Sequence, residues 1–411
     1  MDALPSAAVA TATASPASAG PAAIRPGTPS LLRELNDRAA LDLLLSGEPL
    51  TRAQISERTG VSKVTVREVL ARLEERGLVT VAGEQAGGRG PNAALYAVVP
   101  SSAYVAGLYI DADLVSAAVA DVTGRCVAEV SVDPNGGDDP VELVRGTVGR
   151  ACASAGVELS RLSAVVIGSP GILDPRTGDP RLSVNLPAWH EGMLDGLRGV
   201  LHRPVVIEND VNLAAMAERS DGAAAGVDDF ALVWLGVGLG LASVIGGQVR
   251  RGVAGAAGEI GWLPVHGAPL PTNARHPAGA GFQFLAGGKA VRELAAEHGY
   301  SGYASTGDAV RAAVAGSAAF TDELAHRVAV GVATVCVVLD PALVVLGGEV
   351  GQAGGTALAG RVAEEVARIC LAKPRVVPTA VPGEPVLRGA LLAALAQARA
   401  ALLASVGDPA A

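Results

Sequence analysis

Aromatic side chains make up only 3% of the 411 residues, and charged side chains only 18%. Half of the residues are hydrophobic, which is enough apolar material for sizeable cores, and the length fits two to four domains. Basic residues are outnumbered. The net charge is −9, so bulk electrostatics do not announce a nucleic-acid binder. Cysteine is scarce: Cys126, Cys152, Cys336 and Cys370 sit far apart and form no CxxC pair. That spacing argues against a disulfide framework and a zinc knuckle, and it fits a reducing cytoplasm. Residues 1–28 are rich in Ala, Pro, Ser and Thr and have no basic start followed by an apolar core. They read as a disordered tail rather than a signal peptide. No uncharged apolar run of about twenty residues reads as membrane-spanning. The nearest, 231-ALVWLGVGLGLASVIGG-247, has the glycines and valines of buried strands.

The pattern over residues 29–99 differs from the rest. Apolar residues recur at helical spacing in 31-LLRELNDRAALDLLLSG-47, which ends at Gly47. In 51-TRAQISERTGVSKVTVREVLARLEERGLVTV-81, Thr51 caps a short helix whose apolar face includes Ala53 and Ile55, and Gly60 makes a turn. Ser62 caps the next helix, which turns Val66, Val69, Leu70 and Leu73 inward, and Gly77 stops it. Two strands, 78-LVTVA-82 and 94-ALYAVV-99, flank the glycine-rich tip 83-GEQAGGRGPNA-93. Three helices and a two-stranded ribbon make a winged helix-turn-helix. Such a unit puts Ser62, Lys63, Thr65 and Arg67 at the major groove and Arg89 of the wing at the minor groove. Nine basic and nine acidic residues between Leu31 and Val99 leave the unit neutral. Charge alone therefore also fits a protein-interaction module; the helix-Gly-Ser-helix spacing and the wing arginine favour DNA.

From residue 100 to about 405 strands alternate with helices. Buried strands are predicted at 163-SAVVIGSPG-171 and 204-PVVIEND-210, a hairpin around Gly236, Gly238 and Gly240, and a strand at 343-LVVLGG-348. Polar groups at strand ends are where α/β folds place their sites.

The ordered motifs "GSPGILD", "NLPAW", "ENDVNLAAMAE", "GVGLG", "RRGVAGAAGEIG" and "VVLGG" resemble the ROK family of repressors and sugar kinases, as does the head. The resemblance runs from Leu31 to about Ala400. It implies an α/β fold: a winged helix-turn-helix followed by a two-lobed actin-like domain with a sugar in its cleft. It further implies that Asn209, Asp210 and Glu259, with Ser183 and Asn185, contact a sugar, Asp210 being the family's general base. The bland alternative is a helix-capping Asp and a satisfied Glu.

The departures from the family matter as much. Its kinases hold magnesium and the β- and γ-phosphates with an Asp and a Gly-Gly-Thr turn, because backbone N–H groups close on anions only where side chains are absent. Here the Asp position is Tyr109, and the turn reads Asp111-Ala112-Asp113. The second phosphate hairpin is Gly236-Val237-Gly238, without threonine, while Gly347-Gly348 survives. The family's zinc-ligating His position is Trp262, its cysteine cluster is missing from 272–288, and Gln283 stands in the place of a glutamate. His266 and His276 are weak substitutes. The expectation is a regulator of carbohydrate genes with no catalytic residue, no cofactor and no metal. Its partners are an operator duplex, a sugar or sugar-phosphate effector, and a second or further copies of itself. The competing readings are a ligand-independent DNA-binding protein and an ATP-dependent sugar kinase.

Overall fold

The structure, a computed structural model, describes residues 29–86, 92–134, 139–182, 192–273 and 279–406. The expected tail at 1–28 lies outside them. The first unit is α1 (Pro29–Leu45), β1 (Leu50–Thr51), α2 (Arg52–Thr59), α3 (Lys63–Glu75), β2 (Val79–Gln85) and β3 (Ala93–Val98). Thr51 caps α2 in a reciprocal box. Its hydroxyl accepts from Gln54 N at 3.3 Å, and Gln54 Oε1 accepts from Thr51 N at 2.8 Å. Gly60 ends α2 at φ 71°, a conformation that few side chains tolerate. Val66, Val69, Leu70 and Leu73 of α3 are buried as expected. Ala53, expected inward, is exposed: a helix of eight residues turns only one apolar position, Ile55, into the core. The ribbon gains a third strand, because β1 pairs with β3 in the order β1-β3-β2. Asp37 of α1 and Arg72 of α3 form a two-pronged ion pair, with Nε to Oδ2 at 2.9 Å, that fixes the helix crossing.

The second unit begins with β4 (Tyr104–Ile110), β5 (Val115–Asp121), β6 (Cys126–Val132), α4 (Pro140–Ala155), β7 (Leu162–Ser169), β8 (Ile172–Leu173), β9 (Pro180–Leu182), α5 (Met193–Leu201) and β10 (Val205–Asn209). Its sheet runs β10-β7-β4-β5-β6, with β4, β7 and β10 parallel. Then α6 (Asp210–Asp221) leads to β11 (Phe230–Leu235), β12 (Leu239–Ile245) and β13 (Gln248–Val249). The apolar run 231–247 is thus a buried hairpin. After α7 (Gly281–Ala286), α8 (Gly288–Glu297), α9 (Thr306–Gly316) and α10 (Ala318–Leu339) come β14 (Leu343–Gly347), α11 (Gly348–Ile369), β15 (Arg375–Pro378) and α12 (Pro385–Ser405). The second sheet runs β13-β12-β11-β14-β15.

Between the two sheets one apolar cluster joins Val105, Val166, Leu213, Leu232, Val345 and Leu391, so α6 and α12 are the seam between lobes. The crossing is tight: a Cβ on Gly389 of α12 would lie 2.0 Å from Leu213 O. By length and composition α12 could cross a membrane, but its buried face, including Leu387, Leu391 and Leu395, is the lobe seam. Its far end meets the head. Val406, Leu402 and Leu403 pack into the head core, and Arg76 donates to Ser405 O at 2.9 Å. One helix thereby runs from the seam between the lobes to the first unit.

Candidate DNA-binding face and ligand cleft

Ser62 is the N-cap of α3, accepting from Thr65 N at 3.2 Å, and the Ser62 and Thr65 hydroxyls lie 2.9 Å apart. Both hydroxyls therefore serve the cap first. Lys63 and Arg67 are exposed, and no ion pair holds either among the described residues. Val64 between them is 63% exposed. Sequence reasoning missed it, because an apolar residue on an amphipathic helix is assigned to the core by default. On this face it suits a thymine methyl. Arg89 lies outside the described residues. Asn92 Nδ2, just before β3, donates to Glu84 Oε2 of β2 at 3.0 Å.

The cleft is built from strand ends. Parallel β4, β7 and β10 deliver Tyr109, Ser169 and Asn209 to one edge. Asp210, the first residue of α6, is buried, and its Oδ1 accepts from Val211 N at 2.8 Å. Burial raises its pKa to about 6, with Asp111 and Glu384 adding to the shift. Burial, then the Asp210 charge, raises Glu259 to about 7. Gly258 positions that glutamate: its φ is 98°, and a Cβ there would lie 1.9 Å from Leu241 O. Glu384, the N-cap of α12, is also raised by burial and by Asp111. Nothing around Glu384 in the sequence placed it here; the signal was only an acid before a helix-starting Pro385.

Asn209 is chiefly structural. Its Oδ1 accepts from Asn212 N at 3.1 Å, and its Nδ2 donates to Gly171 O at 3.1 Å. Glu208 supports it, accepting from Asn212 Nδ2 at 3.0 Å and pairing with Arg251 at 2.7 Å, which ties the loop before Glu259 to β10. Asn209, Asp210 and Glu259 are thus brought together at the end of β10; Ser183 and Asn185 lie outside the described residues.

The turn after β4 is closed on itself. Asp111 Oδ1 accepts from Ala112 N at 2.8 Å, Asp111 N donates to Leu114 O at 2.9 Å, and the Tyr109 hydroxyl donates to Asp111 Oδ2 at 3.3 Å. A carboxylate of the chain takes the amide that a glycine turn offers to a phosphate. Burial and three nearby carboxylates raise the Tyr109 hydroxyl well above its ordinary value, so it stays a donor. In the second hairpin Gly236 N donates to Gly238 O at 3.2 Å. Gln283 clamps this turn, accepting from Leu239 N at 3.1 Å and donating to Val237 O at 2.8 Å. Its amide is a brace rather than a ligand. Trp262 Nε1 is buried without a hydrogen-bond partner among the described residues. No group of three or more His, Cys, Asp or Glu among the described residues is placed to hold a metal.

A winged helix-turn-helix fused to a two-lobed, actin-like sugar-kinase fold is the class these features define. The chain belongs to the ROK family, which matches residues 105–396, and residues 35–90 match the MarR family. A xylose repressor of Caldicellulosiruptor bescii is 26% identical over 245 residues, 58% of this chain and 61% of that protein. A glucokinase of Halalkalibacterium halodurans is 32% identical over 218 residues, 48% of this chain and 65% of that protein. The chain therefore spans about three fifths of the length of these curated relatives. The crystal structure of a ROK family transcriptional regulator, a homologue of the E. coli MLC protein, shares the fold with a TM-score of 0.71. It covers 92% of this chain and 99% of its own at 17% identity.

Proposed function

We propose that this chain is a cytoplasmic DNA-binding regulator, a repressor of carbohydrate-metabolism genes, whose ROK domain senses a ligand without catalysis. The observation that carries this reading is the face of α3: Lys63, Val64 and Arg67 project together from a capped, rigid helix start. The name of the xylose repressor relative supports it. Arg67→Ala should weaken operator binding by roughly 1–3 kcal/mol and binding to scrambled DNA by less, since a base contact discriminates and a phosphate contact does not. Titrations on both duplexes over several salt concentrations measure this. Equal losses on the two would demote Arg67 to a phosphate contact, and unchanged binding in Lys63→Ala and Arg67→Ala would make the head a protein-interaction module.

The effector is an uncharged sugar rather than a sugar phosphate, because Asp111, Asp210, Glu259 and Glu384 share the cleft and repel anions. Carboxylates accept readily from vicinal hydroxyls. Phosphoryl transfer is not expected, since Asp111 holds the turn amide. The purified chain with glucose, xylose or N-acetylglucosamine should hydrolyse ATP no faster than the Asp210→Ala variant. The ligand-independent alternative draws on the internal bonds of Asn209 and Gln283, and it takes over if no sugar shifts the thermal midpoint.

The working unit is a homodimer, because one recognition helix reads too few bases for useful specificity. The surface for it is apolar. Val337 and Val338, at the end of α10, are 73% and 75% exposed; Ile369 and Leu371, at the end of α11, are 57% and 100% exposed. The interacting pair Cys336 and Cys370 marks these two helix ends as neighbours. Exposed Asp340 and Lys373 follow the ends of α10 and α11 and leave the rim of the patch charged. These ends lead into the starts of β14 and β15, away from the cleft, so dimerisation leaves it open.

A further inference from the structure

A second cleft, of ≈ 360 Å³, lies between the head and the ROK domain, on the stretch of α12 from Arg388 to Arg399. Its head side is the end of α1, with Leu44 and Leu45, and the strand residues 97–98; its body side is α12, with Arg388, Leu392, Leu395 and Arg399. Interdomain clefts of this size hold small organic molecules. The two arginines differ. Arg388 is ion-paired with Asp221. Arg399 has no carboxylate within ion-pair distance among the described residues; its Nε and Nη2 both donate to the Val122 carbonyl, at 3.0 and 2.9 Å. The nearest acid, Asp121, is held by the Thr123 backbone N–H at 3.0 Å and by Arg125 at 3.5 Å. A guanidinium has five donors, so Arg399 keeps donors for another acceptor, and half-burial lowers its pKa in the absence of a paired anion. Around it Leu44, Leu45, Leu392 and Leu395 share the walls with Ser46, Thr123 and the small residues Gly47, Gly124 and Ala396.

We propose that this cleft is a second effector site, for a small organic anion with a compact apolar body, its carboxylate or phosphate on Arg399 and its body against Leu44, Leu392 and Leu395. Charge-assisted bonding to a half-buried guanidinium supplies the specificity. Because such a ligand touches α1 and α12 at once, it favours one setting of the head on the body and so shifts operator affinity. The site is independent of the sugar cleft.

The probe is 1-naphthoate, with 1-naphthylmethylamine as the cationic control, on the full chain. Naphthoate should raise the thermal midpoint and change operator affinity by about threefold or more, and the amine should do neither. Arg399→Gln should weaken naphthoate by about tenfold, the equivalent of one charge-assisted bond. Should that variant fail to fold, Ala396→Phe decides. Ala396 lines the cleft from its exposed rim, so the ring fills the space without entering the core. Naphthoate binding unchanged in Ala396→Phe overturns the proposal, as do equal binding of the amine and an operator affinity indifferent to saturating naphthoate. Asp210→Asn should leave naphthoate binding intact; loss of it there would place the probe in the sugar cleft and also overturn the proposal.

Discussion

Val338→Glu combined with Leu371→Glu yields a monomer by light scattering and lowers operator affinity by about two orders of magnitude or more. Both side chains are largely or wholly in solvent in one chain, so charging them costs the fold little. In a two-fold pair the same charges would be buried against leucine and valine, and unpaired buried charge is among the most costly substitutions. The loss on DNA follows from linkage. Two tethered heads bind the second half-site intramolecularly, and that gain, commonly 10²–10⁴, vanishes when the tether is cut. The thermal midpoint at low protein concentration should be nearly unchanged. A dimer that survives both glutamates would show that the chain pairs through another surface. A monomer that still footprints both half-sites with wild-type affinity would remove the need for a dimer altogether.

Asp210→Asn should stabilise the protein at pH 7.5 while abolishing its response to sugar. The folded pKa of Asp210 is raised to about 6 and that of Glu259 to about 7, both well above the ordinary carboxylate range of about 4. Both are raised, so the native state holds more protons than the unfolded state between about pH 4 and pH 7. Stability is therefore greatest below that window and falls as pH rises through it. At neutral pH the buried Asp210 charge costs on the order of 1–3 kcal/mol. Asparagine keeps the acceptor for Val211 N and removes the charge. Urea denaturation at pH 4 and pH 7.5 should show a gain only at the higher pH. Sugar hydroxyls donate to the ionised form, so wild-type binding should release protons and tighten from pH 5 to pH 8. A variant that is destabilised at pH 7.5, or still releases DNA with sugar, would show that the Asp210 carboxylate is structural.

Much of the head was legible because its signals are local. Thr51, Gly60, Ser62 and Gly77 stand where caps and stops belong, and the spacing of Val66, Val69, Leu70 and Leu73 gives the buried face of α3. Losing the glycine turn after β4 was equally local, since Asp111-Ala112-Asp113 is read directly. Order along the chain also gave the strand-end positions of Asn209 and Asp210, though not that the amide of Asn209 is engaged in capping and bracing.

By itself, then, the sequence determined the three helices and wing ribbon of the head, the buried face of α3, the strands ending near 171, 210 and 348, and that the phosphate turn lacks its glycines. Tertiary structure decided what each face meets. In α10, Val335 is core and Val337 and Val338 are exposed, although the three are chemically alike; the helices packed against α10, α11 above all, distinguish them. Asp111 and Glu384, 273 residues apart, meet because α12 lies against β4 and β7. The same helix carries Arg399 to Val122 and brings Ser405 to Arg76, joining cleft to head. Periodicity records that a residue is turned inward or outward, but the partner across a long loop is set by chain packing, and raised pKa values, ion pairs and interdomain clefts follow only from that packing.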